Sequence, residues 1–153
     1  MFKTLFIRSL FFTALTLAFI ACSEKKKERI AMPTTDLSKV SLIPKPLRTT
    51  PTNSAFALDQ FTAIYTSKKA TGFEEVGTFL ADKLKNKTNL TIPVNSEGSN
   101  TIERVIYINQ SDSIDLESTE AYQLYINQDS IIINANTAEG AFRGIQTLRQ
   151  LVP

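Results

Sequence analysis

Between Val40 and the last residue, apolar positions recur at two spacings, and each change of spacing marks a new element. The stretch "FTAIYTS" is short and rich in β-branched and aromatic side chains, so it predicts a strand through Ile64 and Tyr65. Phe73, Val76, Leu80 and Leu84 then fall three or four residues apart, which predicts a helix with one buried face. Thr71 and Glu74 have the spacing of a capping box at its start, and Lys83, Lys85 and Lys87 suit the carbonyl pole at its end. "ERVIYIN" predicts an internal strand. In "EAYQLYINQDSIIINAN", Tyr122, Leu124 and Ile126 alternate with more polar partners, residues 127–130 make a turn, and Ile131, Ile132 and Ile133 return as a second strand; this predicts a hairpin. Ahead of all these, Pro44, Pro46 and Pro51 forbid a helix, so Leu42 and Ile43 are expected to begin an extended edge segment.

The chain closes on "NTAEGAFRGIQTLRQLVP". Asn136 with Glu139 makes a cap, and Ala138, Ala141, Phe142, Ile145, Leu148 and Leu151 follow at helical spacing. Gly140 and Gly144 share a neighbouring face. Each costs about 1 kcal/mol in helix propensity, so each needs a close neighbour to justify it. That neighbour is either the domain's own sheet or a second domain beyond the helix, and the sequence leaves both open. The order of elements predicts an α+β fold: a two-layer sandwich with a small mixed or antiparallel sheet and two helices on one face. A doubly wound parallel fold is disfavoured, because the hairpin is antiparallel and no Gly-rich phosphate loop follows a strand.

Upstream, residues 1–21 have the parts of an export signal: Lys3 and Arg8, then an uncharged apolar run too short to span a bilayer comfortably. Cys22 follows Ala21 directly, and "SEKKKER" follows Cys22. This arrangement resembles the lipobox of bacterial lipoproteins, with Phe19 a departure from the usual aliphatic. The resemblance implies lipidation of Cys22 and anchoring in the bacterial cell envelope, the outer membrane being favoured by Ser23. Residues 22–39, charged and without apolar period, are expected to be a flexible tether, and residues 40–153 the folded domain.

The inventory narrows the chemistry. The chain has 17 basic and 15 acidic residues; without Lys3 and Arg8 there are 15 of each, a poor balance for binding nucleic acid. It has no His, one Cys and no Trp, so a Ser/His/Asp triad, a His-ligated zinc, an intrachain disulfide and a cysteine cluster are all excluded. Asp112, Asp115, Glu117 and Glu120 cluster in one loop, but without EF-hand spacing or a Gly turn. No metal and no cofactor is expected.

"LIPKP", and above all "EAYQLYINQDSIIINANTAEGAFRGIQTLRQL", resemble the non-catalytic N-terminal domain of bacterial β-N-acetylhexosaminidases, glycoside hydrolase family 20. The resemblance implies a small sandwich whose helices pack against a (β/α)₈ barrel that follows in the chain. It also implies that hydrolysis, assisted by the substrate's own acetamido group, is performed by an Asp-Glu dipeptide of that barrel. No Asp-Glu dipeptide occurs here, and Glu74-Glu75 is the one adjacent acid pair, suited to a helix N-terminus. No catalytic residue is therefore expected in this chain. Gly140, Phe142, Arg143, Gly144 and Arg149 become the candidates for contact with the barrel. The alternative is a stand-alone membrane-anchored module binding carbohydrate or protein, for which Tyr107, Tyr122 and Tyr125 are the available aromatics.

Overall fold

The computed structural model describes residues 36–68, 70–96, 104–112, 114 and 118–153, all within the unit Ala31–Pro153. The expected signal, Cys22 and residues 22–35 of the tether lie outside the described residues, as do Asp115 and Glu117 of the acidic loop.

After a short 3-10 turn, Leu37–Lys39, the regular elements run β1 (Ala63–Thr66), α1 (Phe73–Thr88), β2 (Val94–Asn95), β3 (Val105–Gln110), β4 (Tyr122–Ile126), β5 (Ser130–Ala135) and α2 (Ala138–Leu151). The sheet has five strands in the order β2-β1-β3-β5-β4. β1 is parallel to both β2 and β3, β3 is parallel to β5, and only β4 runs antiparallel, beside β5. The expected hairpin and the two-layer α+β sandwich with a mixed sheet are both present.

Strand alternation assigns the two faces. Ile64, Ile106, Ile131 and Ile126 are register partners, as are Thr66, Ile108, Ile133 and Leu124. Against this face both helices pack. Phe73, Val76, Leu80 and Leu84 of α1 and Ala141, Ile145 and Leu148 of α2 form one core with the strand isoleucines. Each fully buried large aliphatic side chain contributes about 1.5–3 kcal/mol, so this face holds the fold together.

Three local expectations are corrected. The capping box does not form: α1 begins one residue later, after Gly72, which sits at φ 84° with no side-chain cap. Thr71 thus precedes the cap and cannot reach the first helical N–H groups. At α2 the cap is Thr137, whose hydroxyl accepts from the Gly140 N–H at 3.1 Å. Asn136 instead donates from Nδ2 to the Ile114 carbonyl. Leu42 and Ile43 form no strand. Leu42 is buried, while the Ile43 N–H donates to Gln150 Oε1 at 3.0 Å and Gln150 Nε2 donates to the Ile43 carbonyl at 2.9 Å. A side-chain amide of α2 therefore satisfies the peptide groups that a neighbouring strand would have taken.

Candidate functional site

The candidate positions on α2 divide by face. Gly140 and Gly144 are buried inside this domain. A Cβ on Gly144 would lie 2.7 Å from Ile133 Cγ2 and 3.3 Å from Tyr122 Cδ2, and one on Gly140 would collide with the Ala121 carbonyl oxygen. Their missing side chains let α2 settle onto β4, β5 and the loop before β4. The close neighbour that each glycine needs is thus supplied within this domain.

Phe142, Arg143 and Arg149 point elsewhere. Phe142 remains 37% exposed, and its ring lies 5.3 Å from that of Phe79 on α1. Lys83 Nζ lies 4.9 Å, and Arg149 Cζ 5.7 Å, from the centroid of the Phe79 ring. Such stacking is favoured because the ring face is electron-rich. Arg149 also donates to Gln146 Oε1 at 2.5 Å. Arg143 pairs with Glu120 at 2.5 Å, and hydrogen bonding to that carboxylate, then its charge, raises the guanidinium pKa above its ordinary value. At the far end of the helix layer, Lys87 Nζ donates to the Val152 carbonyl. The outer side of the helix layer thus presents two partly exposed aromatic rings bordered by cations. Aromatic and Arg side chains in that arrangement are enriched in protein interfaces.

Among the described residues the acidic side chains form no comparable constellation. Glu74 and Glu75 occupy the exposed first turn of α1. Among the described residues no group of three or more His, Cys, Asp or Glu could hold a metal ion.

The three tyrosines considered together on sequence do not share a surface. Tyr122 faces the helices, its hydroxyl 2.7 Å from Thr147 Oγ1. Tyr107 and Tyr125 lie on the opposite side of the sheet, register partners of Ile132. Tyr65, missed as a surface aromatic, joins them there, 5.7 Å from Tyr107 between ring centroids. Its position immediately after the core residue Ile64 was the available signal.

Fold and surface together define a two-layer α+β domain with one partly apolar helical side. The description "Glycosyl hydrolase family 20, domain 2" matches residues 39–153. The chain is 32% identical to a beta-hexosaminidase of Porphyromonas gingivalis over 137 residues, 90% of this chain and 17% of that protein. It resembles the solved beta-hexosaminidase of Streptomyces plicatus with a TM-score of 0.67 and 28% identity, covering 82% of this chain and 23% of that one. The family 20 beta-N-acetylhexosaminidase of Streptomyces coelicolor A3(2) gives a TM-score of 0.64 and 30% identity over 73% of this chain and 21% of that one. The chain belongs to glycosyl hydrolase family 20, in the part described as its domain 2. It spans about a sixth of the curated Porphyromonas relative.

Proposed function

We propose that this chain is the lipid-anchored accessory domain of an exported bacterial β-N-acetylhexosaminidase. The whole enzyme removes terminal N-acetylhexosamine residues from glycans or chitin oligosaccharides. Hydrolysis belongs to a (β/α)₈ catalytic barrel outside this sequence, and this chain supplies no catalytic carboxylate. The observation that carries the reading is the family match over residues 39–153, in a chain whose similarity covers only 17% of its Porphyromonas relative. Fold likeness alone would say nothing of activity.

In this reading the barrel docks on the helix layer. Phe79 and Phe142 form the apolar centre of the contact, while Lys83, Arg143 and Arg149 border it. Lipidation of Cys22 holds the assembly at the cell envelope, with the polar residues after it as the tether.

The test is the coding sequence beyond codon 153 together with an assay on an aryl N-acetylglucosaminide. An in-frame or frameshifted barrel, with turnover only in products that include it, is expected. Turnover by the 153-residue chain that depends on one of its own carboxylates, or the lack of any barrel downstream, overturns the reading.

A further inference from the structure

The sheet face turned away from both helices carries one row of side chains across the whole sheet. Asn95, Tyr65, Tyr107, Ile132 and Tyr125 are successive register partners on β2, β1, β3, β5 and β4. A second row follows one pleat along: Asn109, Asn134 and Gln123. Neighbouring strands are about 4.8 Å apart, so the first row spans about 14 Å from Tyr65 to Tyr125.

The composition of these rows is selective. In a chain with 21% charged residues, none of the eight positions carries a charge. A sheet face that merely meets water is usually polar and charged. Here Tyr125 is 49% exposed, and the Tyr65 and Tyr107 rings are tilted by 35° to one another. Hydrogen bonds tie the amides to one another and to the first row: Asn109 Nδ2 donates to Asn134 Oδ1 at 3.4 Å, and the Tyr125 hydroxyl donates to Gln123 Oε1 at 3.2 Å. Each side-chain amide has two donors and two acceptor positions, so these bonds leave capacity for a ligand.

The lack of charge argues against a polyanion, which needs Lys and Arg to replace its counterions. It argues equally against a protein partner selected by ion pairs. Rings with an apolar body and a polar tip, beside a ladder of amides, suit a neutral polyhydroxylated chain. The C–H faces of its pyranose rings lie on the tyrosines, and its hydroxyl and acetamido groups meet the amides.

We propose that this sheet face is a binding platform for a neutral glycan of N-acetylhexosamine units. The platform itself rests on the charge-free aromatic and amide rows; the choice of N-acetylhexosamine rests on the hexosaminidase reading above. The platform lies on the opposite layer from the helix surface assigned to the barrel, so both are occupied together. Holding one stretch of a polymer here raises the local concentration of its other ends near the catalytic domain.

Retention of the full chain, purified in detergent, on insoluble chitin tests this, with titration of soluble chitohexaose followed by NMR. Wild type is expected to be retained, and retention survives raised salt. Tyr65→Ala and Tyr125→Ala weaken chitohexaose binding at least tenfold while circular dichroism stays native, and Glu75→Ala, on α1, leaves it unchanged. Lack of retention by wild type overturns the proposal, as does equal binding by the tyrosine variants. So does a dimer that Tyr125→Ala dissociates, which would assign the face to a second copy. Hydrolysis by the barrel-bearing product is read separately: activity without chitin retention overturns the platform alone, and retention without activity overturns the enzyme reading alone.

Discussion

Gly144 and Ile133 meet so closely that a Cβ on the glycine would stand 2.7 Å from the isoleucine Cγ2 methyl. Ile133 is fully buried in the middle of β5 and its β-branched side chain has little freedom to yield. Gly144→Ala therefore gains about 1 kcal/mol of helix propensity but loses about 1–3 kcal/mol to overpacking. Net destabilisation in urea unfolding of this chain, with no barrel present, is the expected result. Gly140→Ala should cost more than Gly144→Ala, since it meets a backbone carbonyl rather than a methyl group. Equal or raised stability in Gly144→Ala would mean that α2 is not seated on the sheet at this distance.

Thr137 accepts from the Gly140 N–H and donates its hydroxyl hydrogen to the Thr119 carbonyl. Thr137→Ala should cost about 1–2 kcal/mol, the ordinary penalty for losing a helix cap. Thr71→Ala should stay within about 0.5 kcal/mol of wild type, because Thr71 is exposed and lies ahead of the cap. Chemical denaturation of the two variants side by side checks the assignment; similar losses in both would restore the capping box expected from sequence.

Asp59 and Arg104 form an ion pair whose side chains are only 20% and 21% exposed. Asp59 Oδ1 also accepts from the Phe61 N–H at 2.8 Å, and Arg104 lies over the Phe61 ring. Either Asp59→Ala or Arg104→Ala should cost about 1–3 kcal/mol by leaving a partner unsatisfied. The double variant should cost less than the sum of the two. Strict additivity in a double-mutant cycle would show that the pair contributes nothing jointly.

Cys22→Ser should abolish acyl labelling and release the chain from the membrane fraction or leave its signal uncleaved. Unchanged fractionation with normal processing would remove the lipid anchor from the proposed function.

Helix existence and core faces were legible because Phe73, Val76, Leu80 and Leu84 repeat at a helical period strong enough to override local ambiguity. The hairpin was legible for the same reason at period two. β2 was not: a two-residue strand, Val94–Asn95, has no period, and its pairing with β1 is set by where α1 returns the chain. Cap positions slipped by one residue at both helices because Gly72 and Thr137 compete with equally plausible neighbours, and only backbone angles choose between them. At the candidate site, the contact between Phe142 and Phe79 was not legible, since two helices 63 residues apart in sequence at these rings share no local signal. The tyrosines were grouped by residue type, whereas pleat parity separates Tyr122 from Tyr107 and Tyr125.

The clasp between Gln150 and Ile43 joins groups 107 residues apart in sequence. During synthesis the first segment of the domain emerges from the ribosome long before the turn of α2 that secures it. The segment through Leu42 and Ile43 consequently waits unfastened while the sheet and α1 take shape, and it is secured only once Gln150 has emerged and α2 has docked. Assembly of this domain is therefore completed from its two ends at once, late, and a released chain truncated before residue 150 should leave residues near Ile43 open to protease even with β1, β3 and β5 paired.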